Sequence, residues 1–207
     1  MTWIRIVVTL ALAVLPGSAS AQAPTSPHTH GSAESPDRER PAPLPGGSIY
    51  QVGTTWTDMD GKPVPLRSLR GKPVALAMVY TSCTTACPLT VADLKRIEAA
   101  LSPEAQARVS FALFSFDSER DRPEVLKKFA SAHGLDPARW RLYHGDRAAV
   151  RDLAMALGIR YKRDARGDFD HSNVISILDS QGVVRHQQVG LGRDPAASAA
   201  RLESLAR

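Results

Sequence analysis

An unbroken apolar run at residues 73–80, Pro-Val-Ala-Leu-Ala-Met-Val-Tyr, leads directly into Thr81-Ser82-Cys83-Thr84-Thr85-Ala86-Cys87-Pro88, and an amphipathic stretch follows at 91–101. This succession reads as buried strand, turn and helix, with the thiols at the turn. Pro88 has no N–H, so it suits the first helical turn, where N–H groups lack intrahelical partners. The helix is therefore expected to begin near Thr84 or Thr85 and to run from Cys87 to Leu101. Both sulfurs then lie at its positive end, which favours thiolate, the form that attacks disulfides and binds metals. A spacing of four puts Cys83 and Cys87 on one helical face. The pair can close a disulfide or grip one soft metal ion.

The rest of the chain alternates strand and helix signals. Residues 48–57 read as a strand with a turn at Asp60-Gly61, and a short segment at 64–69 leads to Arg70-Gly71-Lys72. Residues 109–116 read as a strand. Asp121 and Pro123 open a helix to about His133. A short strand at 140–143 precedes a helix that Asp146 caps and Gly158 stops. Residues 159–172 read as a long polar loop. Strands at 174–179 and 183–189 flank the turn Ser180-Gln181-Gly182, and Asp194-Pro195 opens the last helix. The predicted fold is α/β, thioredoxin-like, with an N-terminal β-hairpin extension.

The 207-residue chain opens with Arg5, a short apolar run at 6–15, Pro16-Gly17 and Ala19-Ser20-Ala21. That is the plan of a signal peptide, residues 1–21, cut after Ala21. The apolar run is short for a membrane span, which needs about 20 residues. An uncleaved anchor is the alternative. Export places the thiols where a disulfide can persist. Residues 22–47 are rich in Pro, Ser, Ala, Gly and charge, and read as a disordered linker. One domain remains, 48–207. The net charge is +5, which becomes +4 without Arg5. Acidic and basic residues alternate, so the surface is a solvated one and nucleic acid is not an expected partner.

Four segments resemble the SCO/SenC (PrrC-like) copper chaperones, thioredoxin-like proteins that help assemble cytochrome oxidase. The run from Thr57-Asp58-Met59-Asp60-Gly61-Lys62-Pro63-Val64 through Leu69-Arg70-Gly71-Lys72-Pro73-Val74 is similar to the family's N-terminal hairpin and first core strand. Cys83-Thr84-Thr85-Ala86-Cys87-Pro88 matches its CxxxCP metal and redox motif. Ser115-Phe116-Asp117-Ser118-Glu119-Arg120-Asp121-Arg122-Pro123-Glu124 resembles its DPxRDTPE segment, and Asp170-His171-Ser172 its distal DHS motif. Ser118 replaces a common proline, Arg122 a common threonine, and Phe169 a common valine before DHS. No thiol and no histidine is lost.

The resemblance implies that Cys83, Cys87 and His171 bind copper, and that Cys83 and Cys87 form a redox dithiol. Soft thiolates select Cu(I), and imidazole also suits copper. A structural zinc site normally takes four protein ligands, so zinc would need an added carboxylate. His171, on a polar loop, is expected to swing in and out. A purely structural disulfide closing so short a loop gains little entropy. Asp170 reads as a loop-ordering residue. Asp117 is either a site residue or the cap of a turn. His28, His30, His133, His144 and His186 read as incidental, as do Met59, Met78 and Met155.

The resemblance thus implies a copper metallochaperone, exported and periplasmic, soluble after cleavage or else membrane-anchored. Its partners would be a copper-receiving oxidase subunit or other copper enzyme, and a copper donor or thiol reductase. Membrane contact would come only through a partner or an uncleaved anchor. The alternatives are a thiol–disulfide oxidoreductase that reduces partner cysteines and a redox or copper sensor.

Overall fold

The computed structural model describes residues 43–207. The readings of residues 1–21 and of most of 22–47, with His28 and His30, lie outside them. The described chain begins with an extended segment whose Leu44 packs on the core and whose Pro45 carbonyl accepts from Ser48 N at 3.1 Å.

The expected strand at 48–57 splits. Residues Ile49–Gln51 form a 3-10 turn, with Ser48 Oγ accepting from Tyr50 N. Ile49 and Tyr50 are consecutive and both buried, and an extended strand would send one of them outward. Strand β1 (Thr55–Asp58) and β2 (Pro63–Pro65) then form the expected N-terminal hairpin. A second 3-10 turn, Leu66–Leu69, precedes β3 (Val74–Val79). Helix α1 spans Ala86–Ala99, and a short α2 at Pro103–Arg108, absent from the sequence reading, follows it. Its start carries the usual signals: Ser102 Oγ accepts from Ala105 N, and Pro103 occupies the first turn.

Strand β4 (Ser110–Ser115), helix α3 (Pro123–Ala132), strand β5 (Trp140–His144) and helix α4 (Arg147–Ala156) come next. Asp146 caps α4 through Ala149 N, and Gly158 follows it at φ +68°, as its sequence predicts. The segment 159–172 is not a loop. It holds an antiparallel pair, β6 (Tyr161–Arg163) and β7 (Phe169–His171). Asp164 closes the turn by accepting from Arg166 N and Asp168 N, and Gly167 supplies a φ of +87°. Tyr161 and Phe169 anchor both strands against Phe116. Strands β8 (Val174–Leu178) and β9 (Val184–Val189) pair around the expected turn, and α5 (Ala196–Leu205) ends the domain. At that turn Gly182 has φ +79°, and a Cβ there would stand 2.5 Å from the Tyr50 ring.

The main sheet has the order β2-β1-β5-β4-β3-β8-β9. Strand β3, wholly buried, lies beside the central strand β4, parallel to it and antiparallel to β8. Burial of each large apolar side chain there contributes ~1.5–3 kcal/mol. Phe111 stacks on Trp140 with centroids 4.6 Å apart. The Trp140 indole N–H is satisfied by Glu98 Oε2 at 3.0 Å, so the ring is buried without an orphaned donor. Helix α1 packs on β3 and on α5. The thiol motif therefore sits where the most deeply buried strand hands over to a helix.

Candidate metal centre

Beyond β3 the chain turns sharply at Tyr80 and Thr81. Asp121, with no exposed surface, holds this turn. Its Oδ2 accepts from Thr81 N at 2.9 Å and from Ser115 Oγ at 2.6 Å, and its Oδ1 accepts from Thr81 Oγ1 at 2.5 Å. Cys83 N then donates to Tyr80 O at 3.3 Å.

Thr85 is the N-cap of α1 but makes no side-chain cap bond. Cys83 Sγ does that work, accepting from Cys87 N at 3.3 Å. Helix start and thiol are thus placed as predicted, with one correction. Cys83 lies ahead of the helix, not on its face, and reaches Cys87 by folding back over the first turn. Both cysteines are free thiols, Cys83 half-buried and Cys87 buried.

The two thiols differ in acidity. Burial opposes ionisation of Cys83, but the N–H groups of Cys87 and Thr85 outweigh it and lower the thiol below its usual value. Burial pushes Cys87 strongly upward, and the Cys83 and Asp121 charges add to the rise, against a lowering hydrogen bond from Tyr80 N. The expectation that the helix end favours thiolate holds for Cys83 and fails for Cys87, where the loss of water is the larger effect.

His171 belongs to β7 and pairs with Tyr161 in register. The expected swinging loop is instead a hairpin, and the imidazole is packed between Phe116, with ring centroids 4.7 Å apart, and Tyr80, at 6.1 Å. Its Nδ1 lies 3.2 Å from Ser172 O. Only a donor fits opposite a carbonyl, so Nδ1 carries the hydrogen and Nε2 presents its lone pair. That Nε2 stands 4.0 Å from Cys87 Sγ. Burial lowers the His171 pKa, against the raising effects of Ser172 O and the Asp170 charge, so the ring is neutral, the ligand form, at neutral pH.

Cys87 and His171 are thus brought together, and Cys83 is tied to them through the Cys87 N–H. No group of three or more His, Cys, Asp and Glu side chains able to hold a metal ion stands assembled among the described residues. With metal–sulfur and metal–nitrogen bonds of ~2.3 and ~2.0 Å, two ligands at a trigonal angle lie ~3.7 Å apart. The Cys87–His171 spacing is close to that, and a thiol pair with one neutral imidazole is a donor set suited to Cu(I).

Asp117 is the cap of a turn: buried, it accepts from Glu119 N and Arg120 N and pairs with the Arg120 guanidinium. Asp170 is exposed opposite Lys162. His133 donates from Nδ1 to Phe129 O, Met59 and Met78 are core residues, and Met155 is exposed. Tyr80, Phe116, Asp121 and Phe169 shape the site without having been singled out as site residues in the sequence. Burial pushes the Tyr80 phenol up to about 12, and its hydrogen bond with Cys83 adds to the shift. The sequence of so polar a run as residues 117–124 does not show that Asp121 is fully buried, since burial is a property of the fold.

A thioredoxin-like domain with a dithiol at a helix start and an imidazole set against it defines a class of metal-binding and thiol-exchange proteins. The chain belongs to the SCO1/SenC family, whose profile matches residues 50–207. It is 28% identical over 144 residues to a SCO1 protein homolog of Bacillus subtilis, covering 68% of this chain and 74% of that one. The copper-bound structure of Bradyrhizobium japonicum ScoI superposes with a TM-score of 0.62 at 28% identity, over 73% of this chain and 96% of that one. BsSco, a member of the Sco family of cytochrome c oxidase assembly proteins in which a disulfide switch was identified, gives 0.65 at 26% identity, over 73% and 90%. The resemblance and the thioredoxin-like fold expected from the sequence both hold.

Proposed function

We propose that this chain is a copper metallochaperone whose cargo is held by Cys83, Cys87 and His171 and passed to a copper-receiving oxidase subunit or another exported copper enzyme. The carrying observation is His171 Nε2 at 4.0 Å from Cys87 Sγ, with its hydrogen fixed on the far nitrogen by Ser172 O. Family membership and a copper-bound relative at 28% identity support the choice of metal. A three-ligand site with one half-buried thiol suits a carrier, because a partner's thiolate can reach the metal on the Cys83 side. We further assign residues 1–21 to an export leader, 22–47 to a linker and 48–207 to the functional domain, with a periplasmic location.

The unequal thiols favour a second reading, thiol–disulfide exchange. The Cys83 thiolate attacks one sulfur of a partner disulfide and releases the other as a thiolate. Cys87, on losing its proton, then attacks Cys83 Sγ and frees the second partner sulfur. The pair is oxidised to a disulfide as the partner disulfide gains two electrons and, from solvent, two protons. Copper binding and this reaction exclude each other, since both consume the same sulfurs.

Competition of the reduced protein against a Cu(I) chelator separates the readings. Cys83→Ala and Cys87→Ala are expected to abolish tight binding. His171→Ala is expected to weaken it by more than the ~10–100-fold typical of losing a group behind the ligands, while leaving disulfide exchange intact. Full affinity in His171→Ala would move the assignment to the oxidoreductase.

A further inference from the structure

His171 rides on a hairpin of three residue pairs that forms a sheet of its own, separate from the main one. A lone two-stranded hairpin is marginal in water, so where His171 sits depends on what tethers the hairpin. One tether is apolar, Tyr161 and Phe169 on Phe116. The other is polar and comes from the turn after β4. There Asp117, 1% exposed, is fixed by backbone N–H groups of its own turn. It pairs with Arg120 Nε, and the far end of the same guanidinium, Nη2, donates to Gly167 O at 2.5 Å across the gap to the hairpin turn. Glu119 adds a contact, accepting from Arg163 Nη1 of β6 at 2.9 Å. The next residue, Asp121, holds the Thr81 turn that leads to Cys83. One short segment therefore grips both halves of the centre.

We propose that Arg120 is a positioning residue for the metal centre: seated on the buried carboxylate of Asp117, it clamps the Gly167 carbonyl and keeps the hairpin docked with His171 Nε2 facing Cys87 Sγ. This rests on the reading of His171 as a copper ligand. A guanidinium is suited to the role because its fork bonds two acceptors in different directions while remaining charged. A lysine keeps the charge against Asp117 and loses the reach to Gly167 O.

The test uses the full chain with Arg120→Ala, Arg120→Lys, His171→Ala and the Arg120→Lys/His171→Ala double variant. Arg120→Lys guards against a turn that collapses once Asp117 loses its cation. Two readouts are taken: hydrogen exchange of the metal-free protein, and Cu(I) affinity by chelator competition. Both Arg120 variants are expected to speed exchange in residues 161–171, to leave α1 protected, and to weaken copper about tenfold. In the His171→Ala background, Arg120→Lys is expected to cost nothing further. Unchanged hairpin exchange in both variants overturns the clamp whatever copper does. A loosened hairpin with unchanged copper affinity, while His171→Ala weakens it, overturns the positioning role. A full tenfold loss in the His171→Ala background shows that Arg120 acts elsewhere and overturns it too. If His171→Ala itself leaves affinity unchanged, the ligand reading fails, and hydrogen exchange alone still decides the clamp.

Discussion

Cys83 and Cys87 are four residues apart and chemically unlike. Cys83 accepts the Cys87 N–H at the helix start and is partly open to solvent; Cys87 is buried beneath it. Thiolate fraction and access together set the rate of attack. Cys83 is therefore expected to be alkylated by iodoacetamide well before Cys87 at pH 7.5, as mass spectrometry of partly modified protein will show. Equal rates, or Cys87 first, would contradict the asymmetry. The number and spacing of the thiols are visible in the sequence, whereas their inequality is not. Helix position alone lowers both thiols, and only the fold shows that Cys87 has lost its water. His171 was legible through Asp170-His171-Ser172, and its role as a fixed, packed ring was not.

At the scale of elements, what was legible is what local chemistry decides. The all-apolar run gives β3, Asp146 and Gly158 bound α4, and Ser180-Gln181-Gly182 turns β8 into β9. The pair β6–β7 reads as loop in the sequence because its three-residue strands carry the charged Lys162, Arg163 and Asp170 and owe their order to Phe116, a residue far off in sequence. The 3-10 turn at Ile49–Gln51 is hidden in the sequence because its two buried neighbours look like strand until the position of the core is known. The β8–β9 turn also carries a pH dependence. Burial opposes ionisation of Asp179, but Val183 N, Arg185 and Gln181 N together lower its pKa. A carboxylate lowered in the folded state contributes stability that is full above its unfolded value near ~3.9 and is lost as pH falls through the folded value. Asp179→Asn is therefore expected to lower the melting temperature at pH 7 and to have much less effect at pH 3. An equal loss at both pH values would show that the carboxylate's charge plays no part.

For the whole molecule, the α/β thioredoxin-like plan followed from the order of strands and helices, and the family profile covers residues 50–207. Among the described residues no helix is long and apolar enough to cross a membrane. The proposed leader predicts that N-terminal sequencing of the chain recovered from the exported fraction begins at Gln22. Recovery of residues 1–21 in the membrane fraction would replace the leader with an anchor. The central claim, that one domain joins two thiolates and one imidazole around a single copper, is tested most directly by X-ray absorption at the copper edge of the reduced, Cu(I)-loaded protein. The copper is expected to be bonded to two sulfurs and one imidazole nitrogen, with the nitrogen absent in His171→Ala. A sulfur-only shell in the unaltered protein, or the same shell in His171→Ala, would contradict that claim.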